Sequence, residues 1–222
     1  MAMVLLIWLK STNILFKQHK YFADTANFHL KAIGEEGLTF ASDNVNAKMD
    51  LDERVGEFVT NGKASIVRFP KNQYIAYMER FKWFMDSEEI QLGDENKKLD
   101  GSVENALDLE GPEFISVHPK QDSLRFLAPA AKYNLRKYII SCINVPFINV
   151  ADARIFPNEG KVTIFKNALM DTLKNTVILA NTVTKYHSIR NVTANIFGRK
   201  NYLANGEYQY LDENNKPYLI KF

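Results

Sequence analysis

Val45-Asn46-Ala47-Lys48-Met49-Asp50-Leu51-Asp52 alternates apolar and polar residues over eight positions. Successive side chains of an extended strand point to opposite faces, so this spacing puts the apolar set on one face and Lys48, Asp50 and Asp52 on the other. The stretch is predicted to be a half-buried strand. Outward from it, short runs of the same character recur at 65–69, ended by Pro70, and at 138–144, 147–155, 162–165, 176–180, 189–197 and 207–211. Glu213-Asn214-Asn215-Lys216 reads as a hairpin turn before a last strand at 217–222. Near the start, Leu5, Ile7 and Leu9 share one face of a further strand. The chain is predicted to be mainly β, with short helical turns only.

Two stretches read ambiguously. Tyr74, Tyr77, Met78, Phe81, Phe84 and Met85 fit a helical stripe, whereas Tyr77, Phe81, Trp83 and Met85 fit a broken alternation; the expectation is a turn or short helix at 72–78 and a strand at 80–85. Residues 165–173 suit either one helical turn or two short strands. Between Ser87 and Glu113 the acids Glu88, Glu89, Asp94, Glu95, Asp100, Glu104, Asp108, Glu110 and Glu113 meet only Lys97 and Lys98, with Gly93, Gly101 and Gly111-Pro112 as breakers. That divides the chain into a β-rich segment 1–92, an acidic loop or linker 93–113 and a β-rich segment 114–222, which together also suit one continuous structure. In the second half Asn144, Asn149, Asn167, Asn175, Asn181, Asn191 and Asn195 fall at the ends or middles of strands. Stacked rungs with recurrent Asn are what a β-solenoid needs, because aligned amides hydrogen-bond between rungs. The expected fold is an elongated β-solenoid or β-helix-like structure, or a curved open β-sheet stack; a two-sheet sandwich shares many of these signals.

A chain of 222 residues, 46% hydrophobic and 24% charged, has the balance of a folded protein with one large or two small domains. A formal net charge of +2, with no basic run, argues against nucleic acid as a partner. The charge is uneven along the chain. Residues 1–113 hold 13 basic and 19 acidic side chains and residues 114–222 hold 15 and 7, about −6 and +8. Opposite halves of this kind attract one another or successive units of an array. The one cysteine, Cys142, lies in Ile139-Ile140-Ser141-Cys142-Ile143 and reads as a small buried hydrophobe; it has no partner for an intrachain disulfide. Residues 1–10 are apolar but lack the basic start and small-x-small site of a signal peptide, and are too short for a transmembrane helix. Both ends stop inside an alternating apolar pattern, as a slice of a longer protein does.

The phrases Tyr21-Phe22-Ala23-Asp24-Thr25-Ala26-Asn27-Phe28, Arg54-Val55-Gly56-Glu57-Phe58-Val59-Thr60-Asn61, Phe69-Pro70-Lys71-Asn72-Gln73-Tyr74, Val150-Ala151-Asp152-Ala153-Arg154-Ile155-Phe156-Pro157 and Thr184-Lys185-Tyr186-His187 resemble segments of large uncharacterised Bacteroidetes proteins with OstA/LptA-like envelope β-folds. The resemblance implies an internal piece of an extended β-structure in the cell envelope or periplasm, with neighbouring β-units or envelope proteins, a glycan or a lipid as partners. It carries over no catalytic residue.

Motifs for common chemistry are absent: no phosphate-cradling Gly-rich loop, HExxH, CxxC, GxSxG or EF-hand loop occurs. No catalytic, cofactor-binding or metal-binding residue is assigned, and no cofactor is implied. His19, His29, His118 and His187 lack metal-ligand spacing. The best carboxylate group is Asp50, Asp52, Glu53 and Glu57, flanked by Lys48 and Arg54; on one strand face it suits Ca²⁺ or acid/base work, and equally a solvated face ending in a turn. Tyr74, Tyr77, Phe81, Trp83 and Phe84 suit a sugar or acyl platform, or core packing. Tyr202, Tyr208 and Tyr210 suit a groove or an exposed strand, and Asn191-Val192-Thr193 is a glycosylation sequon without a secretory signal. The leading expectation is a non-catalytic structural or binding segment of a larger envelope protein. The alternatives are a carbohydrate-active β-helix enzyme using Asp50 and Asp52, and an LptA-like carrier of a hydrophobic ligand or lipid.

Overall fold

The computed structural model describes residues 7–11, 13–61, 65–96, 112–180 and 187–221. It opens with β1 (Ile7–Lys10), β2 (Asn13–Lys17) and two long strands, β3 (Lys20–Lys31) and β4 (Leu38–Asp50). Short strands follow: β5 (Val55–Thr60), β6 (Ser65–Phe69), β7 (Tyr74–Met78), β8 (Arg80–Phe84), β9 (Glu89–Gly93), β10 (Glu113–Ser116), β11 (Arg125–Leu127), β12 (Ala130–Asn134), β13 (Ile139–Ile143), β14 (Ile148–Val150), β15 (Ala153–Phe156) and β16 (Val162–Ile164). Then come β17 (Leu173–Ala180), β18 (His187–Gly198), β19 (Asn201–Leu211) and β20 (Pro217–Lys221). Helical segments among the described residues are three-residue 3-10 turns.

The strands form one large antiparallel sheet that does not close. It is folded over into two layers. The first runs β3, β4, β5, β8, β9, β12, β13, β16. The second runs β3, β4, β6, β7, β10, β11, β14, β15, β17. The chain lays successive hairpins in alternate layers, each pairing with the one before last. Because each layer is covered by the other on its inner face, the alternating runs from β5 to β16 bury one side. Phe28 packs on Phe58 at 4.2 Å, Phe40 on Phe81 at 5.1 Å and Phe69 on Tyr133 at 5.0 Å, all across the layers.

Long bent strands join the layers at both ends. In β4, residues 45–50 pair with β5 and residues 41–42 with β6; the register shifts between them, with Thr25 and Asn44 left-handed at φ 51° and 56°. At the far end Met170 bridges Ile164 of the first layer while residues 177–180 of β17 pair with β15 of the second. Asn175 and Asn191, at φ 54° and 51°, mark the shifts there. A bulge bends its strand and raises the local twist, which is what a corner requires.

The hairpins β8–β9 and β12–β13 repeat one another. Lys82, Trp83, Met85, Ile90 and Leu92 recur as Lys132, Tyr133, Leu135, Ile140 and Cys142, with Trp83 opposite Ile90 as Tyr133 is opposite Ile140. Both close through a four-residue turn whose last residue, Glu88 or Tyr138, is left-handed.

Several expectations are corrected. The opening strand ends at Asp50, and Leu51 to Arg54 form a turn because the Asp50 carboxylate accepts the N–H groups of Asp52 and Glu53 at 3.1 Å each. Residues 70–73 are a turn and Tyr74–Met78 a strand, with no helix there. The run 147–155 is two strands about a turn at Ala151-Asp152. The antiparallel pairing excludes the stacked parallel rungs of a β-helix. Asn144, Asn167, Asn175 and Asn191 have positive φ instead of forming a ladder; Asn tolerates that region because its short polar side chain bonds locally. The acidic stretch 97–111 and Asn181 lie outside the described residues. Across that stretch β7 pairs with β10 and β9 with β12, so the segments on either side share one sheet.

Candidate functional site

The carboxylate group sits at the end of the β4–β5 hairpin and on the outer face of the first layer. Lys20 Nζ lies 2.8 Å from Asp50 Oδ2, and His19 Nδ1 lies 3.1 Å from Asp52 Oδ1. The Lys20 hydrogen bond, with the N–H of Glu53, holds the Asp50 carboxyl below its usual range, and the same contact holds the Lys20 ammonium up. Asp50 and Asp52 therefore do not share a strand face: one caps the turn and the other belongs to it. Glu57 faces a different neighbourhood, 2.8 Å from Lys82 and 3.9 Å from Lys48, and Lys82 holds its carboxyl down.

Cross-strand register continues that row along the layer as Lys48, Glu57, Lys82, Gln91 and Lys132. Lys132 pairs with Glu95 at 2.8 Å. A hollow of about 670 Å³ lies over the row, lined among others by Val59, Arg80, Lys82 and Lys132. Opposite charges on facing strand positions stabilise a sheet by roughly 0.2–1 kcal/mol per pair. Glu35, Asp43, Asp50, Glu57, Glu88, Asp122 and Glu159 are all held below the usual carboxylate range. A general acid needs the opposite shift. Chemically the row is an ion-pair lattice.

The histidines are kept apart by their separate partners. His29 Nε2 lies 2.8 Å from Asp43, which also pairs with Arg68; His118 Nδ1 accepts the N–H of Lys120; His187 Nδ1 lies 3.2 Å from the Tyr208 hydroxyl. Among the described residues no three His, Cys, Asp or Glu side chains come together to hold a metal. Tyr74, Phe81 and Trp83 are buried in the core, while Tyr77 is on the surface and Phe84 half-buried. Cys142 is buried, and burial pushes its thiol up. Asn191 is spoken for by Glu207 at 2.8 Å. Residues 184–186 lie outside the described residues.

Two features escape sequence reasoning. Buried Asn72 donates its amide to the carbonyls of Tyr138, at 2.7 Å, and Ile164, at 3.2 Å, tying a turn of the second layer to the first. Pro70-Lys71-Asn72-Gln73 looks like an ordinary turn, and its partners are 66 and 92 residues away. The other feature is the pair of sheet ends. Among the described residues β2 pairs only with β3, β20 only with β19, and residues 201–205 of β19 only with β18. Ile14, Leu15 and Phe16 at one end and Leu203, Leu211 and Leu219 at the other are exposed. Apolar residues on both faces foretell a strand covered on both sides; in β2 and β20 neither face is covered, and in β19 only the face carrying Tyr202 and Ala204 meets the core.

No protein-family model, no curated protein and no solved structure matches the chain.

Proposed function

We propose that the chain is a non-catalytic structural or binding segment of a larger cell-envelope β-protein, a solenoid-like stack of antiparallel hairpins that offers its strand edges to neighbouring β-units. The observation that supports this most is the apolar, one-sided pairing of β2 and β20. An exposed apolar edge is a template for another strand, and proteins that do not use one blunt it. The envelope setting comes from the resemblance in the sequence. None of the helical segments among the described residues is long and apolar enough to cross a membrane.

The alternatives have less support. A carbohydrate-active enzyme would need Asp50 and Asp52 free to act, whereas their oxygens bind Lys20, His19 and turn N–H groups. A lipid carrier would need space between the layers, and Phe28, Phe40, Phe58, Phe81, Trp83 and Tyr133 fill it. Cell fractionation with an antibody against this chain tests the proposal. Recovery with the envelope in a large assembly is expected, and recovery as a free monomer in the cytosol contradicts it. Cleavage of acidic or neutral glycans that is lost in Asp50→Asn with Asp52→Asn would favour the enzyme instead.

A further inference from the structure

We propose that residues 201–205 of β19 take β2 of a second copy of this chain as their missing neighbour. The inference rests on reading the chain as a stacking segment and names its partner. At one end the long strand β3 carries two short strands, β2 on residues 20–24 and β1 on residues 27–30. At the other end the long strand β19 carries one, β20 on residues 207–211. Its remaining half, Asn201-Tyr202-Leu203-Ala204-Asn205, is paired only with β18 and keeps an open edge among the described residues.

Two observations select β2 for that edge. The first is polarity. Antiparallel pairing alternates through the first layer from β2 to β16, and Met170, β18 and β19 continue it. A copy placed end to end therefore presents its β2 antiparallel to β19.

The second is register. Leu15 shares the outer face with Phe22 and Lys48, and Leu203 pairs with Asn195, on the face opposite buried Ala194 and Ile196. Setting Leu15 opposite Leu203 then puts Ile14 opposite Ala204 and Phe16 opposite Tyr202, on the inner side. Phe16 already packs on Tyr21 at 4.6 Å, and Tyr202 would extend that cluster. Lys17 falls opposite Asn201 and Asn13 opposite Asn205, so no like charges face each other.

The contact is heterologous, so it generates a ring or an open array. Because β20 adds a strand on one layer only, successive copies tilt.

Two variants of the full chain that each add one cysteine to the buried Cys142, Leu15→Cys and Leu203→Cys, test this; both new positions are exposed, at 61% and 59%, so Cys142 does not compete for the crosslink. Mixed and oxidised, they are expected to form the 15–203 disulfide at least ten-fold more than either homodimer, and more than pairings with the equally exposed control Leu169→Cys. Sedimentation of the unmodified chain should show mass rising with concentration, and Leu15→Lys or Leu203→Lys should shift that rise at least ten-fold upward in concentration with unchanged circular dichroism. A monomer at every concentration, or crosslinking through Leu219→Cys in place of Leu203→Cys, overturns the proposal. Sedimentation of the unmodified chain decides the matter even where a variant fails to fold. Envelope fractionation is read separately, so an envelope protein that stays monomeric sinks this pairing and leaves the proposed function standing.

Discussion

The hairpins β8–β9 and β19–β20 are both antiparallel, both rich in aromatic and branched residues, and differ in what lies across from them. In the first, Phe81, Trp83, Ile90 and Leu92 are buried beneath the second layer. In the second, Tyr210, Leu211, Tyr218, Leu219 and Ile220 remain on the surface. Apolar alternation is therefore a statement about what a strand can cover, and the opposing layer decides whether it does. The same contrast separates a region that holds the fold from one available for contact.

The largest effect expected from that contrast is on stability. Trp83→Ala should cost about 3–5 kcal/mol, the usual range for an aromatic removed from a core, while Leu219→Ala, at 62% exposure, should stay within about 0.5 kcal/mol. Denaturant titration of both variants reads the difference, and similar losses would break the comparison. Next comes Gly93, at φ +70°, where an added Cβ would meet the Pro129 carbonyl oxygen at 2.0 Å. Gly93→Ala should cost more than Gly34→Ala, whose φ is +72° in open space and for which strain alone gives about 1–2 kcal/mol. The same titration ranks them.

A corner substitution should act in the opposite direction. Thr25 is β-branched yet left-handed at φ 51°, so Thr25→Gly is expected to stabilise by about 1 kcal/mol. A loss there would show that the side chain at this corner matters more than its backbone strain. The smallest effect is on pH dependence. Lys82 holds Glu57 below its ordinary range, and Arg136 does the same for Glu88. The unfolded chain then binds protons more readily than the folded one. Stability is fully present above the ordinary carboxylate pKa and falls as pH drops from about 4 through the lower folded values. Melting temperature against pH should show that fall, reduced by salt and by Glu57→Gln.

Much of the strand layout was legible because period-two alternation reports directly on a half-buried strand. Residues 65–69 match β6, and 162–165 overruns β16 by one residue. Alternation names a face without naming a partner, so it left parallel and antiparallel stacking open, and the asparagines tipped the expectation toward rungs although Asn144, Asn167, Asn175 and Asn191 serve positive φ. The fifty-residue hairpin repeat was present in the sequence but disguised, since Trp83 answers to Tyr133 and Leu92 to Cys142 by position and burial, not identity. At the carboxylate group the residues were legible and their roles were not. Asp50 meets Lys20 and Asp52 meets His19 only once β3 and β4 pair. The open edges had a clear sequence signal in their apolar content, but nothing local says that a strand lacks a neighbour.

Hydrogen exchange of the dilute chain separates the covered hairpins from the open edges, because an amide is protected when its strand is paired on both sides and covered. Slow exchange is expected across residues 81–84, 90–92, 131–133 and 140–142, and fast exchange through 13–17 and 217–221. Equal protection of the two groups in a monomer would contradict that separation.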